Sequence, residues 1–249
     1  MTIIDLQNGQ PAVPPDRVAG FQMLVPVKTL ADAKRRLEPT MGALRADLTL
    51  AMLSDVINAI RGSSRVSGTL VVTADAAVAE LATAHGAHLL REASSGGLNR
   101  ALEAGFAQLR QAGATRIAIV PADIPLLTGA DLDHVLRSIE THRGTVRRGV
   151  IGLCASRDGK GTNLMCLDQV DECDFRYGRN SFHLHRKAAL AAGYRPVTLT
   201  SQRISLDIDT RADIDHYLAI CARHPAYRCS HTWRFLQAHG FATAGDRVG

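Results

Sequence analysis

The feature that most constrains this chain is a regular alternation of short apolar runs with longer amphipathic stretches. The run Phe21 to Val27 reads as a buried first strand. A helix is predicted over about Ala43 to Ile60, with Leu44, Leu48, Ala51, Met52 and Val56 along one face. Strand Thr69 to Thr73, helix Ala76 to His85, a weak strand His88 to Leu90 and helix Leu98 to Gln111 continue the pattern. Strand Arg116 to Val120 and a helix from Asp131 to Thr141 follow, with Thr128 a candidate N-cap. Strands and helices in this order predict an α/β fold with a mostly parallel, Rossmann-like sheet and helices on both faces.

The second half is more mixed. Gly149 to Cys154 and Asn163 to Leu167 flank a Gly-rich loop, Arg157 to Gly161, and predict a small antiparallel addition to the sheet. A helix from about Ser181 to Ala192, strand Pro196 to Thr200, the segment Ser205 to Thr210 and a helix from about Ala212 to Ala222 complete the body. Residues 1–19, broken by Pro11, Pro14 and Pro15, read as a loose arm. Residues 20–223 read as one domain. Residues 224–249 form an Arg/His-rich tail that holds the only tryptophan, Trp233; it is a candidate dimer arm or a loose end.

Composition removes several classes. With 46% hydrophobic residues the chain can build a sizeable core, which excludes global disorder. An aromatic content of 4% argues against a base-stacking platform, so no nucleic-acid partner is expected. No apolar run is long enough to span a bilayer, and residues 1–20 lack the basic flank and apolar stretch of a signal peptide. The five cysteines, odd in number and late in the chain, fit a reducing cytoplasm better than a disulfide framework. The 29 Lys and Arg against 24 Asp and Glu leave a charge of +5, which suits a small anionic substrate.

Ligands of a parallel sheet bind beyond the carboxyl ends of its strands. That rule selects Lys28, Lys34 and Arg36 after the first strand, Gly96-Gly97-Leu98-Asn99 at a helix start, and Asp123 after Val120. A nucleoside triphosphate needs cations and helix N-termini for its phosphates, and its magnesium needs one or two carboxylates. The competing reading of the cationic stretch is a solvated surface loop. A second acidic group is Asp207-Ile208-Asp209. In an extended segment both carboxylates would share a face, with Ile208 turned into the core. Such a pair repels unless a cation lies between, with Asp123 as a third ligand. The plainer alternative is that Asp209 or Thr210 caps the next helix.

Two further loops have anion-binding character. Gly159-Lys-Gly-Thr162 lacks the first glycine and the Lys-Ser/Thr pair of a Walker A loop, which is rejected, but offers a glycine-flanked lysine and a hydroxyl. Phe175 to Ser181 offers Arg176, Gly178, Arg179 and the Ser181 hydroxyl, Ser181 or Asn180 being equally readable as an N-cap. Cys221, His224, Cys229 and His231 match no standard zinc spacing. His183 and His185, two apart on a helix, do not share a face, and a structural role is preferred for them. Cys154 and Cys166 read as small core residues. No G-x-S-x-G or C-x-x-C appears, so hydrolase and thioredoxin readings lack support.

Taken in order, these pieces resemble the guanylyltransferases of coenzyme F420 biosynthesis, the CofC/FbiD family, relatives of the MobA-like nucleotidyltransferases. The match is carried by Val25-Pro-Val-Lys28 with Ala33-Lys34 and Arg36-Leu37, by Gly97-Leu-Asn99, and by Pro121-Ala-Asp-Ile-Pro-Leu126. Gly161-Thr-Asn163, Phe175 with Tyr177-Gly178 and Ser181-Phe182, and Leu206-Asp-Ile-Asp-Thr210 complete it. The resemblance implies transfer of GMP from GTP to the phosphate of a phosphorylated three-carbon carboxylate, with release of pyrophosphate. The acceptor is 2-phospho-L-lactate, phosphoenolpyruvate or 3-phospho-D-glycerate. It also implies that Lys28 and Lys34 hold GTP phosphates, with Arg36 on the same loop, and that Gly97, Leu98 and Asn99 lie near the guanine. Asp123, Asp207 and Asp209 would bind Mg2+, and Thr162, Gly178 and Ser181 would grip the acceptor. Thr29, Arg35 and Lys160 depart from the family's usual residues. Two other functions remain open from sequence: a metal-dependent glycosyltransferase using a nucleotide-sugar through Asp207 and Asp209, and a non-enzymatic nucleotide- or RNA-binding module suggested by a pI near 9.2. Oligomeric state is left open, a homodimer included.

Overall fold

The computed structural model describes residues 20–92, 96–144 and 148–241. The loose arm expected over 1–19 and the last residues of the tail lie outside the described residues. Among the described residues seven strands form one sheet: β1 (Phe21–Pro26), β2 (Val66–Thr73), β3 (His88–Arg91), β4 (Arg116–Ile119), β5 (Val150–Ala155), β6 (Thr162–Asp168) and β7 (Arg195–Leu199). Their order across the sheet is β3-β2-β1-β4-β6-β5-β7. β1 runs parallel to β2 and β4, β2 to β3, and β5 to β7. Among the described strands only β6 is antiparallel to its neighbours, β4 on one side and β5 on the other. The mostly parallel sheet with an antiparallel addition is therefore as the sequence predicts. One consequence positions the site. Because β6 alone is reversed, its first residues, Thr162 and Asn163, lie at the same edge as the carboxyl ends of the other strands.

The helices are α1 (Glu38–Met41), α2 (Leu44–Arg61), α3 (Ala76–Ala84), α4 (Leu98–Gln111), α5 (Gly129–Arg143), α6 (Ser181–Ala191), α7 (Gln202–Ser205), α8 (Arg211–Arg223) and α9 (His231–Ala238). Strand residues alternate between two buried faces. Met23 and Val25 belong to one apolar cluster with Leu53, Val56 and Leu132, while Leu24, Leu70 and Val72 join Leu102 and Phe106 on the other. On α4, Gly105 comes so close to the sheet that an added Cβ would stand 2.5 Å from Leu24 Cδ1. Local signals agree with the tertiary fold. Asp75 caps α3, and capping boxes pair Thr128 with Asp131 on α5 and Thr210 with Asp213 on α8.

Two stretches fold differently from their sequence reading. The cationic segment after β1 is not one open loop. It closes into a 3-10 turn (Arg35–Leu37) and α1, because Leu37 and Met41 are buried in a third cluster. Beyond residue 223 the chain keeps packing on the body: a 3-10 turn (Pro225–Cys229) leads to α9, which lies on α2. Leu236 is fully buried there, and Asp55 on α2 accepts from the first two amides of α9, His231 at 2.7 Å and Thr232 at 2.8 Å. Among the described residues no helix is long and apolar enough to cross a membrane.

Candidate active site

One backbone hydrogen bond organises the carboxyl edge of the sheet. Ile208 N donates to Asp123 O at 3.0 Å, laying the 206–210 segment beside the loop that follows β4. Ile208 is fully buried. Its neighbours Asp207 and Asp209 are thereby turned outward, and both line the same cleft as Asp123. Asn163, at the start of β6, pins this segment further, donating from Nδ2 to Ile204 O at 3.0 Å and to Asp207 Oδ1 at 3.1 Å.

Lys34 enters between the carboxylates. Its Nζ donates to Asp123 Oδ2 and, at 2.6 Å, to Asp209 Oδ1, with the side chain 7% exposed. The Lys34 backbone is left-handed, with φ 53°, a conformation seldom taken by residues other than glycine. Burial opposes its charge, but the two carboxylates outweigh burial and hold its pKa above the ordinary lysine value. Burial also works against the Asp209 carboxylate, yet Lys34, then Arg36 and Lys28, keep its pKa low. Asp207 goes the other way: burial, then the neighbouring charge of Asp123, raise its pKa against the Asn163 hydrogen bond. The cleft thus holds one carboxylate matched by a lysine and one for which charge is costly.

Two adjoining cavities open here. One, of about 290 Å3, is lined by Lys28, Lys34, Thr49, Leu98, Asp123 and Asp207, among others. The other, of about 790 Å3, takes in Arg36, Lys160, Gly178, Arg179 and Ser181. Lys28, Leu98, Thr162, Asn163, Tyr177, Asp207 and Asp209 line both, which makes them one continuous cleft with two ends. Lys28 and Arg36 are exposed at its mouth. Thr162 and Ser181 are buried at its floor, Ser181 Oγ donating to Thr162 Oγ1 at 3.2 Å. Gly178 has φ 134°, which suits glycine, and borders the same end. A third cavity, of about 860 Å3, adjoins Ser205 and Leu206. It lacks the converging carboxylates, and two of its arginines are already paired, Arg203 with Asp131 and Arg157 with Asp213.

The residues expected near a base divide. Leu98 lines the cleft, and Gly97 precedes it as the exposed N-cap of α4, with φ 92°. Asn99 is committed elsewhere: its amide accepts from Tyr177 N at 2.8 Å and donates to Tyr177 O at 3.2 Å. It is a clamp between α4 and the loop before α6. Asn163 and His185 are the residues whose parts in the site were not read from sequence. The signal for His185 was its spacing from Ser181, four residues and one helical turn, rather than its spacing from His183. For Asn163 no positional signal exists, since its partners come from a segment far along the chain.

The donor set suits a hard divalent cation such as Mg2+, which takes one or two carboxylates and completes its shell with phosphate oxygens and water. Asp123 Oδ1 is buried and accepts no hydrogen bond, and Asp207 carries a charge that burial disfavours. Both observations fit the oxygen ligands that such a cation takes. Among the described residues no three His, Cys, Asp or Glu side chains already close to metal-binding distance, and the Lys34 ammonium bridges two of the three aspartates.

Fold and site together define a nucleotidyltransferase-like α/β protein. The chain superposes on a putative nucleotide-diphospho-sugar transferase from Desulfovibrio desulfuricans with a TM-score of 0.67 at 16% identity, covering 88% of this chain and 94% of that one. That likeness concerns the fold. The sequence goes further: residues 21–241 match the family described as guanylyl transferase CofC like, and the chain belongs to that family. A phosphoenolpyruvate guanylyltransferase from Conexibacter woesei is 35% identical over 77% of this chain and 84% of its own length. A 3-phospho-D-glycerate guanylyltransferase from Phenylobacterium zucineum is 33% identical over 73% and 82%.

Proposed function

We propose that this protein transfers GMP from GTP to the phosphate of a small phosphorylated carboxylate, releasing pyrophosphate. The observation that carries the reading is the convergence of Asp123, Asp207 and Asp209 with Lys34 in a cleft whose mouth holds Lys28 and Arg36. Family membership supports the guanylyl group, and the two relatives named above support phosphoenolpyruvate and 3-phospho-D-glycerate as acceptors. The family resemblance adds 2-phospho-L-lactate.

The chemistry asks little of a general base. The acceptor phosphate is already ionised, so one of its oxygens attacks the α-phosphorus directly. A new P–O bond forms there while the bond to the β-phosphate oxygen breaks, and pyrophosphate leaves with the electron pair. The protein must bring two polyanions together and offset the charge that builds up. Lys28 and Arg36 draw in the triphosphate, and Lys34, fixed by two carboxylates, points a rigid positive charge into the cleft. Leu98 offers the nucleotide an apolar wall. Thr162, Gly178 and Ser181 form the acceptor end. Asp123, Asp207 and Asp209 would hold Mg2+, which when bound neutralises charge on the α-phosphate and the leaving pyrophosphate.

The test is incubation with GTP, Mg2+ and each of the three acceptors in turn, followed by mass analysis. One guanylylated acceptor with matching pyrophosphate is expected. A GMP-free outcome with all three would overturn the reading. Turnover of a nucleotide-sugar would instead favour the glycosyltransferase alternative.

A further inference from the structure

A chain of hydrogen bonds, two of them buried, runs along the acceptor end of the cleft. Arg176 N donates to His185 Nε2 at 2.8 Å. A backbone amide can only donate, so Nε2 carries a lone pair. In a neutral ring the proton then sits on Nδ1. Nδ1 faces Thr162 Oγ1 at 3.0 Å, and Ser181 Oγ donates to the same oxygen at 3.2 Å. A hydroxyl oxygen has two lone pairs and one proton. Both lone pairs of Thr162 are taken by these two protein donors, which leaves its proton, and Thr162 lines both ends of the cleft.

We propose that His185 is a positioning residue that commits the Thr162 hydroxyl to donating a hydrogen bond into the acceptor end of the cleft. The inference rests on Thr162 being an acceptor contact, as the proposed function has it. It adds a selectivity rule. A donor-only hydroxyl favours an ionised phosphate or carboxylate oxygen, and it penalises a ligand that offers a proton at that point.

The surroundings are built to hold the ring. His185 and Thr162 are both buried, and the Tyr177 ring meets the imidazole edge to face with centroids 4.7 Å apart. Asn99 fixes the Tyr177 backbone, and Phe182 N donates to Lys160 O at 3.0 Å, tying α6 to the β5–β6 turn. Burial also pushes the His185 pKa down to about 4, so the ring is neutral near pH 7.

Two measurements on the whole chain decide it. A long-range proton–nitrogen correlation spectrum at neutral pH reads which ring nitrogen bears the proton. Nδ1–H is expected, and an Nε2–H or doubly protonated ring overturns the proposal. The second compares two variants. In His185→Asn the amide nitrogen falls near the position of Nδ1 and keeps the donation to Thr162. In His185→Gln the amide oxygen falls near Nε2 and keeps the bond from Arg176, but the donation is lost. Calorimetric titration with phosphoenolpyruvate and 3-phospho-D-glycerate should show His185→Gln weakening acceptor binding about ten-fold while His185→Asn stays within about three-fold of the parent. GTP affinity should be unchanged in both. Equal losses in the two variants, or a parallel loss of GTP affinity, would show a merely structural role. A parent protein that binds acceptor but transfers no GMP defeats the guanylyl reading and leaves this one standing.

Discussion

Ile208 donates its backbone N–H to the carbonyl of Asp123 at 3.0 Å, and through that bond two distant stretches of sequence become one acidic site. The buried Ile208 side chain fixes the strip from below, so the carboxylates on either side face the cleft by default. The acidic pair is thus set by backbone pairing and one core residue rather than by its own electrostatics, which are repulsive.

Asp209→Asn should therefore keep the fold and lose the reaction. The Asp209 side chain is 42% exposed, and the bond from Lys34 can move to an amide oxygen. A melting temperature within a few degrees of the parent is expected, with GMP transfer reduced at least about 100-fold. Near-normal transfer by this variant would remove Asp209 from the reaction.

Lys34 donates to Asp123 and Asp209, two of the three carboxylates proposed to hold the cation. In Lys34→Met, Asp123 and Asp209 lose their shared counter-charge, and a divalent ion no longer competes with an ammonium. Titration of the nucleotide-free protein with Mg2+ or Mn2+ should show tighter binding in Lys34→Met than in the parent, together with turnover lower by at least about 100-fold. Weaker cation binding in the variant would show that Lys34 supports the metal ligands instead of competing with them.

Asn99 holds the Tyr177 backbone with two hydrogen bonds, at 2.8 and 3.2 Å. Asn99→Ala leaves a backbone amide and carbonyl without these partners and frees the loop that carries Gly178. A loss of about 1–3 kcal/mol in unfolding free energy is expected, with the acceptor KM raised more than the GTP KM. A selective rise in the GTP KM would return Asn99 to the base-binding part expected from sequence.

The parallel sheet was legible because short continuous apolar runs and amphipathic stretches of 3.6-residue period alternate along the first 140 residues. The acidic residues were legible for a related reason: Asp123 directly follows a strand, and the Asp207–Asp209 spacing reads correctly for an extended strip around a buried Ile208. What escaped was whatever depends on two distant segments meeting. Asn163 and Asn99 are ordinary polar residues until their partners at 204, 207 and 177 are known. His185 was weighed against His183, whereas its partners are Thr162 across the β5–β6 turn and the amide of Arg176. The Arg/His-rich composition after 223 masked Leu236 and Phe241, whose burial in the cluster with Leu48 and Met52 depends on a long return of the chain.

The packing of α9 gives a stability prediction. Leu236 is fully buried in the cluster that also holds Leu48 and Met52 of α2 and Ile208 of the acidic strip. Leu236→Ala removes most of that side chain and leaves a cavity, at a cost of about 2–5 kcal/mol in urea unfolding. Asp55→Ala attacks the same contact from the other side, since Asp55 satisfies the first two amides of α9. It should cost about 1–2 kcal/mol. Losses within a few tenths of a kcal/mol for both variants would mean that α9 adds nothing to the cooperative unit.

His185 also predicts how stability depends on pH. Burial brings its folded pKa to about 4, from an ordinary value of 6.5, with the Asp174 carboxylate opposing and the Arg176 guanidinium assisting. Those are the charged groups acting on the ring. From the other elements around it come the Thr162 hydroxyl and the Tyr177 ring, both uncharged. Between the two pKa values the unfolded chain holds a proton that the folded chain does not, so stability rises with pH there. The contribution is complete above the unfolded value and fades as pH falls towards 4, with an upper bound of about 3 kcal/mol. Glutamine does not titrate, so unfolding of His185→Gln should lose less stability than the parent on going from about pH 7.5 to about pH 4.5. Parallel losses in the two proteins would mean that the imidazole takes up its proton as readily folded as unfolded, and that burial does not set its charge state.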